Sequence, residues 1–317
     1  MSVPHIAALG GGSGLSALLR SLKRLPCEIT AIVTVADDGG NSGRLRRDQG
    51  SLPPGDIRNC LIALSHAEPD MERLLQFRFK EGELAGQCMG NLLLVALDQL
   101  HGGFIPGIQK ISKVLAVAGQ VLPVTLENVR LRGWLENGQE LLGESILGNA
   151  QRTHGAGIRR LALEPEDCAP LPQALDAIRA ADLILIGPGS LYTSLIAVLL
   201  VPGVTEAIRE NDAPCYFVGN IMTQPGETQG YSMEDHTDAL SGHLGDGLLD
   251  GIIVNSGPIP PEILERYLLD GCGPVPWTAD GLQARGLRIC AAPLAEINDS
   301  RVRHDPEALS AVIRHLL

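Results

Sequence analysis

The chain has 317 residues, 44% of them hydrophobic, enough to bury a large core as one α/β domain or two smaller ones. A formal charge of −12 and a pI near 5.1 argue against broad contact with nucleic-acid backbone or an anionic membrane surface, while leaving room for a local basic pocket that holds a small anion. No run reaches the ~18 consecutive apolar residues of a membrane span, and the N-terminus has no basic segment leading into an apolar one, so the expectation is a cytoplasmic protein that neither inserts into membranes nor binds nucleic acid.

The first element is the apolar run HIAAL (5–9), short enough to be a buried parallel strand. GGGSGLS follows at 10–16, ahead of the helical pattern LSALLRSLKRL. Consecutive glycines are costly in regular structure because glycine loses the most backbone entropy on folding. Between a strand and a helix they acquire a purpose: Gly12, Gly14 and Ala17 satisfy the G-x-G-x-x-A spacing. That spacing allows a tight turn, close backbone approach to a phosphate, and tight packing of helix on strand. Gly10, Gly11, Gly12, Ser13 and Gly14 are therefore candidate diphosphate ligands at a helix N-terminus; the competing reading is a turn without a ligand. No Lys-Ser or Lys-Thr follows at the spacing of a Walker loop.

A second strand pattern, EITAIVTV (28–35), runs into ADDGGNSGRLRRDQG. Asp37 and Asp38 stand where a doubly wound fold often places a ribose-binding acid. The small residues through Gly43, Ser42 among them, read as a loop that wraps an anion with Arg44, Arg46 and Arg47. PPGDIRN at 53–59 offers Asp56 as an N-cap or ligand-binding acid. Arg58, early in the next helical pattern, opposes the helix dipole and so calls for an anionic partner.

Helical patterns recur at IRNCLIALSHA, NLLLVALDQL and LPQALDAIRAA, with apolar residues three and four apart. The stretch 119–163 instead reads as short alternating strands, a β-rich insertion. Three further apolar runs, DLILIG (182–187), PCYFVG (214–219) and GIIVN (251–255), complete an alternation of strand and helix. This implies a Rossmann-like α/β fold, a mostly parallel sheet with helices on both faces, in a single domain over 1–317. Gly187, Gly189 and Ser190 repeat the glycine turn after DLILI, and GNIMTQPGET brings Asn220, Thr223, Gln224 and Glu227 to another turn. Such turns meet at the carboxyl edge of a parallel sheet, where these folds bind ligands. His236 and His243 are seven apart in a helical pattern, but no third ligand at close spacing supports a metal pair. The seven cysteines lack a CxxC pair and read as reduced, mostly buried thiols.

Taken together, GGGSGLS, TVADDGGNSGRLR, LPPGDIRNCL, MGNLLLVAL, IGPGSLYTS, MTQPGET and the late RHD closely resemble the YvcK subgroup of the CofD-like family, over roughly residues 6–310. The resemblance implies a cytoplasmic regulator that binds UDP-sugars such as UDP-N-acetylglucosamine. It further implies a role in cell shape and envelope synthesis during gluconeogenic growth, with protein partners in that process, and it leaves homo-oligomerisation open. It adds Asn91, from MGNLLLVAL, and Arg303, from RHD, to the candidate ligands; Tyr267 joins Arg303 as the candidate base pocket in a chain poor in aromatics. The alternative is a transferase like CofD, moving a phospholactate-type group from a nucleotide diphosphate donor. That chemistry would call for magnesium near Asp37 or Asp38, whereas the regulator needs no cofactor. An NAD-dependent oxidoreductase rests on the glycine spacing alone. Ser13, Asn41 and Gln87 stand where family members often carry threonine, serine and histidine, and glutamine at 87 could not carry protons.

Overall fold

The computed structural model describes residues 3–298 and 301–317. Its strands are β1 (His5–Gly10), β2 (Glu28–Val33), β3 (Gln120–Pro123), β4 (Arg130–Leu135), β5 (Glu140–Leu142), β6 (Ile158–Glu164), β7 (Leu183–Ile186), β8 (Cys215–Val218), β9 (Gly251–Asn255), β10 (Arg288–Ala292), β11 (Ala295–Asn298) and β12 (Arg301–His304). Seven of them form one sheet in the order β10-β9-β8-β7-β1-β2-β3, and every pairing in it is parallel. The inner strands are continuous Ile, Leu and Val runs because helices cover both of their faces, and Ile6–Leu9 and Leu183–Ile186 are fully buried.

Helix α1 (Gly12–Leu22) buries Leu15, Leu18, Leu19 and Leu22, a stripe at helical spacing. It packs against α3 (Gly55–Leu64) and the C-terminal helix Pro306–Arg314. From β1 the chain builds outward through β2 to β3, then returns to β7 on the opposite side of β1 and builds the other way. The direction of winding reverses between β1 and β7, and the turns leaving their carboxyl ends diverge to leave a crevice. Gly14 sits where these turns touch: a Cβ added there would lie 2.3 Å from the Pro188 carbonyl oxygen and 2.9 Å from Gly189 Cα.

The stretch 119–163 divides. Its first strand, β3, pairs with β2 in the main sheet, while β4, β5 and β6 form a separate antiparallel sheet in the order β5-β4-β6. Arg132 of β4 reaches both neighbours, Glu140 at 3.2 Å and Glu164 through its Nε at 3.0 Å. The anion-wrapping loop expected after Asp38 is instead a helix, α2 (Gly40–Gln49). Asp37 Oδ1 accepts the Gly39 N–H at 2.9 Å, Gly43 lies directly on the Asp38 carbonyl, and Gly50 closes the helix with φ of 65°. Sequence patterning missed β10, a half-buried edge strand, and the antiparallel pair β11–β12.

The contact at Gly14 yields the first prediction. Gly14→Ala should lower the unfolding free energy by about 3 kcal/mol, the upper end of overpacking costs, because backbone on both sides has nowhere to move. Gly12 has φ of +65° but nothing within 4 Å of an added Cβ, so Gly12→Ala should cost only left-handed strain, about 1 kcal/mol. Urea denaturation of both variants checks this, and equal losses would refute the close approach as the constraint.

Candidate functional site

A cleft of about 550 Å³ opens at the reversal between β1 and β7. Its floor is the first turn of α1, from Gly11 to Gly14, and one wall is Pro188–Ser190 with Asn220–Gln224. The facing wall is Tyr267 and β12, which presents Arg301, Arg303 and His304. Local hydrogen bonds fix the wall turns: Asn220 accepts the Gly189 N–H at 3.2 Å and donates to the Gly189 carbonyl at 2.8 Å. Ser190 donates to Gln224 Oε1 at 2.8 Å, and Thr223 is paired with the backbone of Gly273. Tyr267 Oη accepts the Val302 N–H at 3.0 Å, so the half-buried ring is tied to the strand that carries the arginines.

The electrostatics of the cleft are set by what is left unpaired. Among the described residues, Arg266, Arg301 and Arg303 form no salt bridge, although all three line a cleft in a protein of charge −12. His304 donates through Nε2 to the Gly219 carbonyl at 3.1 Å, and burial pushes its pKa down to about 4, so it is neutral. No side chain caps α1, whose N-terminal turn therefore offers backbone donors and a positive dipole end to an anion. The helical segment Leu191–Ile196 beyond the second glycine turn is different, because Glu227 accepts the Thr193 N–H at 2.9 Å. That carboxylate is 1% exposed, and burial raises its pKa to about 7. One N-terminus is filled by the protein itself, and the other keeps Ser13 and Gly14 facing the cleft.

A second group of acids lies on the other side of the glycine turn. Asp56 Oδ2 would stand 2.7 Å from a Cβ on Gly11, and its carboxylate accepts the Gly12 N–H. Desolvation, then the neighbouring Asp37, raises its pKa to about 6. Glu144 faces Asp37, Asp38, Asp56 and Glu227, and burial followed by these charges raises its pKa to about 8. Asp38 is occupied in joining this region to the antiparallel sheet, through the Ser145 N–H at 3.0 Å. Burial also raises Asp37, against hydrogen bonds from Gly39 and Ser42. Magnesium is held through one or two carboxylates plus waters and substrate phosphates, and Asp37 and Asp56 are donors of that kind. Among the described residues no three His, Cys, Asp or Glu side chains converge as a ligand set.

The structure thus divides the residues that sequence singled out. Gly11, Gly12, Ser13, Gly14, Gly189, Ser190, Asn220, Thr223, Gln224, Tyr267 and Arg303 share the cleft. Gly10 and Gly187 lie beneath it, with φ of 155° and 82° in the two turns. Arg44 faces solvent and pairs with Asp48 at 3.5 Å. Arg58 is buried against neutral partners rather than an anion, with Asn91 Oδ1 at 2.5 Å, Cys88 Sγ at 2.9 Å and Asn59 Oδ1 at 2.7 Å. Asn41 joins the same network, donating to Gln87 and accepting from Asn91 at 2.8 Å. His236 and His243 each donate to a carbonyl of their own helix at 2.7 Å, and His236 stacks on Phe217 in the core. Sequence reasoning missed Arg266, Arg301 and His304; an RVRH strand with arginines alternating along one face was the available signal.

With this geometry in place, comparison with known proteins is informative. The family described as 2-phospho-L-lactate transferase CofD matches residues 6–295. A gluconeogenesis factor from Bacillus subtilis is 46% identical over 315 residues, 99% of this chain and 98% of that protein. One from Halalkalibacterium halodurans is 45% identical over 99% of this chain and 96% of its own length. A crystal structure of a UPF0052 family protein from Bacillus halodurans superposes with a TM-score of 0.94 at 44% identity, covering 98% of this chain and 99% of that one.

The acid cluster predicts how stability depends on pH. Glu144, Glu227 and Asp56 hold their protons in the folded state to about 8, 7 and 6, and release them near 4 when unfolded. The folded state therefore binds more protons between these values, and stability falls as pH rises from about 5 to 8. His304 acts in the opposite sense, losing stability as pH drops from about 6.5 toward 4. Thermal unfolding should show Tm declining from pH 6 to 8.5, with a shallower decline in Glu144→Gln. A rising Tm over that range, or an unchanged slope in the variant, would contradict the assignment.

Proposed function

This chain belongs to the CofD family, and we propose that within it the cleft at the β1–β7 reversal binds a nucleotide sugar, with UDP-N-acetylglucosamine as the representative ligand, and that the protein acts as a cytoplasmic regulator. The observation that carries the reading is the α1 N-terminus, whose N-cap is a glycine, facing three arginines that form no salt bridge among the described residues across one cleft. Backbone donors at Ser13 and Gly14 would take the diphosphate. Arg303 and Arg301 would neutralise it from the facing strand, and Tyr267 would offer its ring to the base. Asn220 and Thr223 are committed to Gly189 and Gly273, so among these side chains the amide hydrogens of Gln224 would meet the sugar hydroxyls. Kinship with gluconeogenesis factors ties the reading to carbon supply, and the proposed output is the tuning of envelope synthesis and cell shape through protein partners. Occupancy of the cleft would then report the supply of nucleotide sugar.

A transferase is the second reading, favoured by the acid cluster beside Gly11 and Gly12. Asp56, with its pKa near 6, is suited to accept a proton from an acceptor hydroxyl near neutral pH. A divalent cation there would supply charge neutralisation of the phosphates, with Asp37 and Asp56 as its holders. Against turnover, Gln87 is buried and hydrogen-bonded to Asn41, with no titratable proton to give.

Isothermal titration with UDP-N-acetylglucosamine should give saturable binding. Arg303→Ala should weaken it by about tenfold or more, and Tyr267→Ala by roughly 1–3 kcal/mol if the ring stacks on uracil. Tyr267→Phe separates stacking from the Val302 tether, since it keeps the ring. Unchanged affinity in folded Arg303→Ala would remove the nucleotide from this cleft. Incubation with donor, magnesium and candidate acceptors distinguishes the two readings: an intact donor supports the regulator, and consumption lost in Asp56→Asn supports the transferase.

A further inference from the structure

Behind β12 lies a second cavity of about 710 Å³, between that strand, α1 and α3. It shares Ser13, Ala17, Arg301, Arg303 and His304 with the first cleft, so the two spaces adjoin along α1 and β12. Arg20, from the last turn of α1, lines only the second. Among the described residues none of these three arginines is within 4 Å of a carboxylate. Three guanidinium groups against one carboxylate, Glu296, leave net positive charge around the cavity, and an oxyanion would relieve their repulsion. The remaining lining is mostly hydrogen-bonding. Asn59 already accepts from Arg58 at 2.7 Å, which leaves its amide hydrogens to donate. Asn298 offers both donor and acceptor, and Glu296 is an acceptor on the same strand.

We propose that this second cavity binds a small phosphorylated, hydroxyl-rich metabolite, of the sugar-phosphate class, alongside the ligand of the first cleft. Arg20 holds its phosphate, with Arg301 and Arg303 shared between it and the ligand of the first cleft, since guanidinium forks match phosphate oxygens. Asn59, Asn298 and Glu296 take its hydroxyls, a lining that suits a polyol and offers little to an apolar ligand. The volume lies within the usual range for small-molecule sites, roughly 300–1,000 Å³. Because Arg303 borders both cavities, each ligand changes the field felt by the other, and the affinities are linked reciprocally.

The test is calorimetric titration of the whole protein with glucose 6-phosphate, with glucose and inorganic phosphate as controls, in the absence and presence of saturating UDP-N-acetylglucosamine. Glucose 6-phosphate should bind saturably and more tightly than inorganic phosphate, glucose should not bind, and binding should persist when the nucleotide sugar is present. Arg20→Ala should weaken glucose 6-phosphate by about tenfold or more while leaving the affinity for UDP-N-acetylglucosamine unchanged, with circular dichroism to confirm folding. Absence of saturable glucose 6-phosphate binding, complete displacement by the nucleotide sugar, or an unaltered affinity in Arg20→Ala would each overturn the proposal. Failure of UDP-N-acetylglucosamine to bind, with Arg20-dependent glucose 6-phosphate binding retained, would overturn the reading of the first cleft and leave this one standing.

Discussion

The contact on which the site depends is backbone against backbone: the first turn of α1 lies on the turn after β7, with Gly14 packed against the Pro188 carbonyl and Gly189. Any side chain at position 14 would push the two apart. Because β1 and β7 are adjacent and parallel, bringing these turns into contact also fixes what each presents outward. Ser190 and Gln224 are held on one side through the Asn220 link to Gly189. The α1 N-terminus is fixed on the other. The cleft is built less by its lining side chains than by the absence of two of them.

Charge is sorted about this contact. Asp37, Asp38, Asp56 and Glu144 gather toward α2, α3 and the antiparallel sheet, and burial followed by their mutual repulsion raises the pKa values of Asp56 and Glu144. The unpaired arginines come from the last third of the chain, on the helix Pro261–Leu269 and on β12. A phosphate at Ser13 and Gly14 would lie on the boundary between the two fields. It would be attracted from one side and repelled from the other, so its position would be set by balance as well as by contact. This makes the site sensitive to the protonation of Asp56 in a way that a uniformly basic cleft is not.

Much of the fold is legible in the sequence because a parallel sheet buried on both faces needs continuous apolar strands, and HIAAL, EITAIV, LILI, CYFV and GIIVN are such runs. The glycine turns are legible for a related reason, since three adjacent glycines have no use inside a regular element. What escaped lacks an apolar imprint. α2 is almost wholly polar, and the contacts at its start, the Gly39 N–H on Asp37 and the close approach of Gly43 to Asp38, are local ones that leave no hydrophobic pattern. β10 is an edge strand and half exposed. Arg266 and Arg301 escaped because an arginine's partner, or lack of one, depends on the fold: Arg44 and Arg58 looked suited to an anion, yet one pairs with Asp48 and the other is absorbed by Asn91, Asn59 and Cys88.

The two glycine turns look equivalent in sequence, and the structure makes them unequal. Each opens a helical segment whose first N–H groups lack intrahelical partners, so each is by itself an anion site. At Leu191–Ile196 the anion is Glu227, buried and held by the amides of that turn. Removing water from a carboxylate is expensive, and the amides offset that cost only while the charge stays at the N-terminus. The second turn is therefore closed to a ligand phosphate, which would have to displace an acid that has nowhere else to be solvated. At α1 Asp56 takes only the Gly12 N–H from the inner side and leaves Ser13 and Gly14 facing the cleft. One internal carboxylate thus reduces two candidate phosphate cradles to one, and a diphosphate bound there would have a single orientation relative to Arg303 and Tyr267.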